Sequence, residues 1–323
     1  MSRKNLLSVF IAFITFLIIT PSVLANEAEI ISEQEDATYQ MFDNSEEYWT
    51  KERMENAIPM DKHVDKATES KSLTDSEANE NQTNERPYNT EPASPKYNNA
   101  LDFSPNAVVP STTGKLFFYN PNDGNNYVCS ASAVNNPNKN LVSTAGHCMH
   151  EGSGGDFYTN IVFVPAYYEG NAPYGRWDVN WKVTFRGWTD NGNYDYDQAF
   201  LTVFQNDGRN LVNVVGGNGL SFNYSQNQSD VRVTGYPAAD PYPGDIPYSC
   251  YGDTSKRFLS NDAQISCGFT GGASGGAWFR TMSSENLGQI FAVTSRRSEP
   301  RGTLYARPFT SDYRDLFEGM EDR

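Results

Sequence analysis

The chain has 323 residues, a formal net charge of −15 and 38% hydrophobic residues, which is enough for one large core or two smaller ones. Acidic residues outnumber basic ones, and lysine and arginine form no basic patch. The composition therefore excludes a protein that binds nucleic acid through a positively charged surface. The acidic balance favours solubility and indicates no particular partner.

The start of the chain has the three parts of a secretory signal peptide. Arg3 and Lys4 give a basic start, an apolar run extends to Ile19, and small residues that end at Ala25 form a cleavage pattern. The apolar run is short for a membrane span, which disfavours the alternative of a membrane anchor. We therefore predict that residues 1–25 are removed on export, and that the mature protein is secreted and extracellular with no membrane contact.

Residues 26–100 form the next compositional unit, which is polar and acidic. It contains too few branched apolar side chains to offset the entropy of ordering the chain. We predict an acidic prosegment, largely disordered, with a short helical patch around residues 39–58. A disordered arm that stays attached is the alternative. Proline disfavours helix near the end of this unit, so we expect an accessible cut between Pro95 and Pro110.

Residues 101–323 show the pattern of a β-rich domain, with short apolar runs between clusters of Asn, Asp, Gly and Pro. The clearest run, at 176–185, places Trp177, Val179 and Trp181 at a period of two, as in a half-buried strand. Many such strands at regular spacing predict an all-β sandwich or barrels.

A helical period appears near the end of the chain, in SDYRDLFEGM. Ser311 can cap a short helix there. Tyr313, Leu316 and Phe317 would then face inward.

The even number of cysteines in an exported chain predicts two disulfides between Cys129, Cys148, Cys250 and Cys267. Three pairings are possible. Pairing of neighbours in sequence would close two short loops, each stabilising by roughly 3 kcal/mol in the chain-entropy model. There is no C-x-x-C motif, so we predict no metal site.

The stretch FTGGASGGAW, from Phe269 to Trp278, is rich in glycine around one serine. Glycine clusters mark tight backbone geometry or the close approach of a ligand. The stretch is therefore either a loop or strand corner that needs space, or a turn that presents Ser274 as a nucleophile. A nucleophilic serine needs a base, usually a histidine held by a carboxylate.

Three histidines are available as that base. His63 lies in the acidic segment, where we expect it to be solvated. His147 ends an apolar strand and adjoins Cys148, so it is well placed as a rigid base. His150 begins a loop, and we expect it to be exposed.

The order of these residues along the chain separates the classes of serine hydrolase. GASGG fits the nucleophile elbow of α/β-hydrolases, but their histidine follows the serine and none follows Ser274. The subtilisin order needs an aspartate at a strand end before His147 and a helix opened by the serine, and neither is apparent. The order His, Asp, Ser is that of chymotrypsin-like double barrels.

TAGHC at 144–148 and GASGG at 272–276, in this combination and spacing, resemble trypsin-like serine peptidases of the chymotrypsin fold. Within them, the resemblance is to the secreted bacterial branch that includes the glutamyl endopeptidases. It covers roughly residues 105–320. It implies an all-β fold of two six-stranded antiparallel β-barrels with a short C-terminal helix, and a disulfide between Cys129 and Cys148.

The same resemblance implies the roles of the site residues. His147 matches the general base and Ser274 the nucleophile. The family pattern Asp-x-Ala followed by apolar residues matches Asp197, so Asp195 is expected to be a turn residue. The backbone N–H groups of Gly272 and Ser274 would form the oxyanion hole, in which losing one donor costs about 3 kcal/mol of transition-state stabilisation.

Two positions depart from the family's patterns. Ala273 replaces the aspartate that precedes the nucleophile in trypsin, so activation cannot use an ion pair at that position. The histidine of the glutamyl endopeptidase pocket is missing from QIFAVTSRRSEP. Arg296 and Arg297 could instead attract an acidic side chain, although a solvated strand end is the alternative that we favour. No acidic residue near Gly268 supports cleavage after Arg or Lys.

These observations predict a secreted serine endopeptidase that acts on proteins or peptides through an acyl-enzyme. We expect a monomer made as a precursor, without cofactor or metal. An esterase with the same residues and a non-catalytic binding protein on the same fold are the alternatives.

Overall fold

A computed structural model describes residues 26–35, 45–65, 85–97, 109–321 and 323. The predicted signal peptide lies outside the described residues. Within the described part, the helices are all too short or too polar to span a membrane.

The described residues form nineteen strands and five short α-helices. The strands are β1 (Ile30–Gln34), β2 (Ile58–Pro59), β3 (His63–Asp65), β4 (Tyr88–Asn89), β5 (Thr113–Asn120), β6 (Asn125–Val134), β7 (Leu141–Thr144), β8 (Thr159–Pro165), β9 (Trp177–Phe185), β10 (Ala199–Val203), β11 (Gly219–Phe222), β12 (Val231–Gly235), β13 (Tyr248–Gly252), β14 (Ser255–Lys256), β15 (Ala263–Cys267), β16 (Ala277–Met282), β17 (Gly288–Val293), β18 (Arg296–Glu299) and β19 (Gly302–Ala306). The helices are α1 (Ser45–Tyr48), α2 (Lys51–Glu55), α3 (Arg186–Thr189), α4 (Leu211–Val215) and α5 (Ser311–Glu318). Two 3₁₀ turns, Gly146–Cys148 and Tyr194–Tyr196, follow β7 and α3.

Six antiparallel strands close the first barrel in the order β5, β6, β7, β10, β9, β8 and back to β5. The alternation predicted for β9 is present at Trp177 and Val179, which are buried in the barrel core, but Trp181 is only partly buried and the intervening Lys182 and Thr184 are buried too. A disulfide joins Cys129 on β6 to Cys148, with 6.1 Å between the Cα atoms. The wall that carries β6 is thereby fastened to the turn that follows β7.

The second barrel is built from two sheets. One has the order β13, β12, β16, β17, β11, and the other the order β14, β15, β19, β18. A second disulfide joins Cys250 on β13 to Cys267 on β15, so it fastens the two sheets to each other. The all-β, two-barrel fold class predicted from the sequence is confirmed.

The C-terminal helix α5 covers the core of the first barrel. Tyr313, Leu316 and Phe317 are buried, as their spacing predicts, and the Tyr313 hydroxyl donates to the carbonyl of Ala199 on β10. The N-cap is Thr310, one residue earlier than the sequence suggested, and its side chain makes no capping bond.

The N-terminal region is more structured than its composition suggested. The prediction that residues 26–100 are largely disordered is wrong for the described parts of that range. Four strands there extend the sheets of the two barrels: β1 pairs with β9, β2 with β6, β3 with β18 and β4 with β11. Helices α1 and α2 lie within the helical patch predicted around residues 39–58.

A few well-separated side chains explain this order. Trp49 is fully buried against Phe117 of β5, and its indole N–H donates to the Asn160 carbonyl at 2.6 Å. The ammonium of Lys182, on β9, lies 2.5 Å from Glu33 and 3.0 Å from Glu35. The average composition of a segment does not reveal such isolated anchors. One buried tryptophan contributes as much apolar area as several small residues.

One buried lysine makes the stability of the fold depend on pH. Lys115 on β5 donates to the carbonyl of Gly244 at 3.1 Å and lies over the rings of Phe117 and Tyr167. Burial lowers the pKa of Lys115 from 10.5 to about 8, while the charge of Asp245 opposes the change. Between these pH values the unfolded chain binds more protons than the folded chain, so this site adds stability as pH rises.

Replacing Lys115 by methionine should remove that titration. A change of pKa from 10.5 to about 8 corresponds to about 3 kcal/mol. The difference in free energy of unfolding between Lys115→Met and the unmodified protein, measured in urea, should therefore change by about that amount from pH 8 to pH 10.5, in favour of the unmodified protein. Lys256→Met, at an exposed position, is the control, and an equal change there would contradict the assignment.

Candidate active site

His147 lies in the 3₁₀ turn Gly146–Cys148 that follows β7, and its side chain is fully buried. Its backbone N–H donates to Asp197 Oδ1 at 2.8 Å. Its ring Nδ1 lies 2.8 Å from Oδ2 and 3.1 Å from Oδ1 of the same carboxylate. A side chain at Gly146 would come within 3.2 Å of Asp197 and 3.0 Å of Trp188, so glycine is needed beside the histidine.

Asp197 follows the turn Tyr194–Tyr196 and is 1% exposed. The hydroxyl of Ser295, from the second barrel, donates to its Oδ2 at 2.7 Å. Burial alone would raise the pKa of Asp197, but the charge of His147 and the hydrogen bonds from His147 and Ser295 outweigh it and lower the pKa below its ordinary value. The carboxylate is therefore ionised at neutral pH.

An ionised carboxylate beside Nδ1 determines the tautomer of His147. Because Asp197 can only accept, Nδ1 carries the proton and Nε2 has a free lone pair. That Nε2 atom is buried and has no hydrogen-bond partner among the described residues. The geometry leaves one basic nitrogen available to take a proton.

Ser274 lies in the glycine-rich loop between β15 and β16. Gly272 has φ +90°, and a Cβ there would lie 2.6 Å from the Tyr236 carbonyl oxygen. Gly275 has φ +78°, and a Cβ there would lie 2.2 Å from the Thr144 hydroxyl. The glycines therefore serve both backbone conformation and close packing.

Ser130 on β6 holds this loop against the first barrel. Its backbone N–H donates to the Ser274 carbonyl at 2.8 Å, and its hydroxyl donates to the Gly272 carbonyl at 2.8 Å. The same hydroxyl accepts the N–H of Tyr236 at 2.8 Å. Ser130 is fully buried, so these bonds are shielded from water.

A peptide carbonyl from the N-terminal region occupies the centre of this site. The N–H of Gly272 donates to the carbonyl oxygen of Met60 at 2.8 Å, and the hydroxyl of Ser274 lies 3.4 Å from the same oxygen. Two groups predicted from the sequence, the nucleophile and one oxyanion-hole donor, thus converge on one carbonyl oxygen.

The other acidic and histidine candidates from the sequence lie outside the His147–Asp197 pair. Asp195 accepts a hydrogen bond from Asn261 at 2.7 Å and does not contact His147. His150 is 4% exposed, so the expectation of an exposed side chain is wrong. Its Nδ1 accepts the N–H of Gly152, and burial lowers its pKa against the opposing charges of nearby acids, with Asp156 the largest. His63 is exposed, as expected.

The two arginines of β18 differ from each other. Arg296 is 6% exposed, bound to Asp262 at 2.5 Å and placed over the ring of Tyr194, so a solvated strand end is the wrong description for it. Arg297 binds Asp61 through two hydrogen bonds of 2.9 and 2.7 Å. It also pairs with Glu299.

Sequence reasoning missed four residues of the site: Ser130, Ser295, Met60 and Asp61. Ser130 adjoins Cys129 and Ser295 adjoins Arg296, so proximity to motifs that were noticed could have found these two. Nothing in the sequence around Met60 marks it as a residue that contacts the serine loop.

Among the described residues, Cys129, His147 and Cys148 are grouped closely enough to hold a metal ion, with potential ligand atoms within 4.8 Å. The two sulfurs are bonded to each other, and Nδ1 of His147 faces Asp197. These donors therefore do not fit a metal, which needs free thiolates and an unprotonated ring nitrogen.

Comparison with solved structures identifies the class. A thermostable serine protease, AL20, from an extremophilic microorganism is 30% identical and superposes with a TM-score of 0.62, over 67% of this chain and 99% of that one. The protease Anisep from Arthrobacter nicotinovorans is 36% identical with a TM-score of 0.61, over 67% and 98% of the two chains. The chain therefore belongs to the serine proteases of the chymotrypsin fold.

Two further proteins are less similar to this chain. A Glu endopeptidase, 16% identical with a TM-score of 0.54 over 67% of this chain and 93% of that one, shares the fold. A curated relative named extracellular metalloprotease, from Bacillus subtilis (strain 168), is 28% identical over 127 residues, which are 39% of this chain and 38% of the relative. The match thus spans well under half of that protein. No family model matches the chain.

The bonds of Ser130 predict a test of loop positioning. Ser130→Ala removes a buried hydroxyl from the Gly272 carbonyl and the Tyr236 N–H, and should lower the free energy of unfolding by about 1–3 kcal/mol. It should lower kcat for peptide hydrolysis more than it raises KM, since the loop that carries Gly272 and Ser274 loses a support while the rest of the cleft is unchanged.

Ser132→Ala is the matched control, because Ser132 lies on the same strand and its buried hydroxyl has no hydrogen-bond partner among the described residues. Equal kinetic effects of the two substitutions would contradict a positioning role for Ser130.

Proposed function

We propose that this protein is a secreted serine endopeptidase, made as a precursor, that hydrolyses peptide bonds through an acyl-enzyme on Ser274. The observation that carries this proposal is the convergence of the Ser274 hydroxyl and the Gly272 N–H on a single peptide carbonyl. A backbone N–H that binds a peptide carbonyl oxygen beside a serine hydroxyl supports this proposal, because the oxygen of a substrate must be held there while the hydroxyl attacks the carbonyl carbon.

In the proposed mechanism, the buried His147–Asp197 pair supplies the general base. His147 Nε2 takes the proton of Ser274 as the oxygen attacks the substrate carbonyl carbon. The N–H groups of Gly272 and Ser274 stabilise the tetrahedral oxyanion. Protonated His147 then donates to the leaving amine, and a water molecule, deprotonated by the same nitrogen, releases the acyl group. Asp197 stays ionised throughout and stabilises the imidazolium.

The cellular part of the proposal rests on separate observations. The signal-like start, the two disulfides and a curated relative named extracellular are consistent with export to an oxidising environment. In this proposal residues 1–25 are the signal peptide, residues 26–100 are a removable prosegment, and residues 101–323 are the catalytic domain. The catalytic domain acts as a monomer on protein or peptide substrates.

An organophosphonate probe should test the nucleophile directly. In secreted material whose N-terminus has been sequenced to a cut between residues 95 and 110, mass mapping should place the adduct on Ser274. Ser274→Ala should abolish labelling and lower hydrolysis of a protein substrate at least about 1000-fold, because triad members act as a unit. His147→Ala should be similarly severe.

Ser132→Ala, with the same loss of a buried hydroxyl away from the loop, should label normally. Near-normal proteolysis by Ser274→Ala would contradict the proposal. Hydrolysis of a simple ester without hydrolysis of any protein would indicate the esterase alternative, and a mature protein that resists the probe would indicate a binding protein.

A further inference from the structure

We propose, on the basis of the function proposed above, that residues 57–65 are an inhibitor that occupies the active-site cleft in the direction opposite to a substrate. The segment crosses both barrels. Pro59 pairs with Val128 of β6, and the Met60 N–H donates to the Val128 carbonyl at 2.9 Å. The Met60 carbonyl then accepts from Gly272, and residues 63–65 run parallel to β18.

The direction of the segment follows from which residues lie on each side of the Met60 carbonyl. The cavity beside the nucleophile is lined by Thr270, Thr294 and Arg297, together with Asp61 and Lys62 of the segment. In a serine protease this cavity receives the side chain that precedes the cleaved bond. Here it is lined by residues that follow the carbonyl.

The residues before Met60 indicate the same reversed direction of the segment. Residues before Met60 lie along β6, where Cys129 is tied by its disulfide to Cys148, the neighbour of His147. A cleavable peptide must place its leaving amine on the histidine side, since His147 supplies the proton. The segment places its acyl side there, so its carbonyl fills the oxyanion hole without presenting a leaving group to His147.

Two anchors hold the segment in this direction. Upstream, Trp49 is buried against the first barrel. Downstream, the guanidinium of Arg297, whose side chain is 13% exposed, binds both carboxylate oxygens of Asp61. Bidentate pairs of this kind fix orientation as well as adding energy. The backbone N–H of Arg297 also donates to the Lys62 carbonyl at 3.0 Å.

The experiment compares full-length precursors that differ at one acidic side chain. Asp61→Ala removes the downstream anchor, so the precursor should react with an organophosphonate probe at least about tenfold faster than the unmodified precursor. Glu55→Ala is the matched control, because Glu55 is an acid of the same region whose ion pair with Lys51 is exposed to solvent. Its labelling rate should equal that of the unmodified precursor. Circular dichroism of each precursor checks that the fold is retained.

Reversed binding is tested by the fate of the Met60–Asp61 bond. The unmodified precursor is incubated for long enough that even slow self-cleavage would be detected. Mass analysis should then find this bond intact. Cleavage there, or a Met60 acyl-enzyme, would show that the segment binds as a substrate and would overturn the proposal. Equal labelling of the Asp61→Ala and Glu55→Ala precursors, with rapid labelling of the mature protein, would also overturn it. A mature protein that does not label would refute the proposed function instead.

Discussion

The site depends on buried hydrogen bonds that cross from one barrel to the other. Ser130, from the first barrel, binds the carbonyls of Gly272 and Ser274 in the second. In the opposite direction, Ser295 of the second barrel binds Asp197 of the first. The largest hydrophobic cluster also crosses between the barrels, since Phe200 of β10 shares it with Phe279 of β16 and Ile290 of β17. Because the bonds are buried, losing one leaves unpaired polar atoms, so the relative position of the barrels is strongly specified.

The sequence could predict those parts of the architecture whose signals lie within a single strand or helix. The strand periodicity of β9 and the spacing of Tyr313, Leu316 and Phe317 are local signals, and the two-barrel fold to which they contribute is confirmed. The proximity of His147 and Asp197 was expected from a resemblance in residue order, and the structure does bring the two side chains together. Their catalytic roles, with that of Ser274, remain predictions.

The errors have a common physical origin, since each depends on a tertiary contact that the adjoining residues in the sequence do not reveal. Arg296 was interpreted as part of a solvated strand end, yet Asp262 and Tyr194 enclose it. His150 was expected to be exposed because a loop follows it, yet its ring packs edge-on against Phe157. The N-terminal region was judged by average composition, which cannot show that single residues reach preformed surfaces on the barrels.

If residues 57–65 inhibit the site as proposed, their attachment to the chain that they cover determines when the enzyme works. While the chain is intact, residues 57–65 are present at the cleft at an effective concentration that dilution cannot lower, on the order of millimolar for short flexible connections. After a cut, the same contacts must form between two molecules, and occupancy falls with the concentration of each. Release into a large extracellular volume would thus complete activation, whereas crowding of freshly cut molecules would delay it.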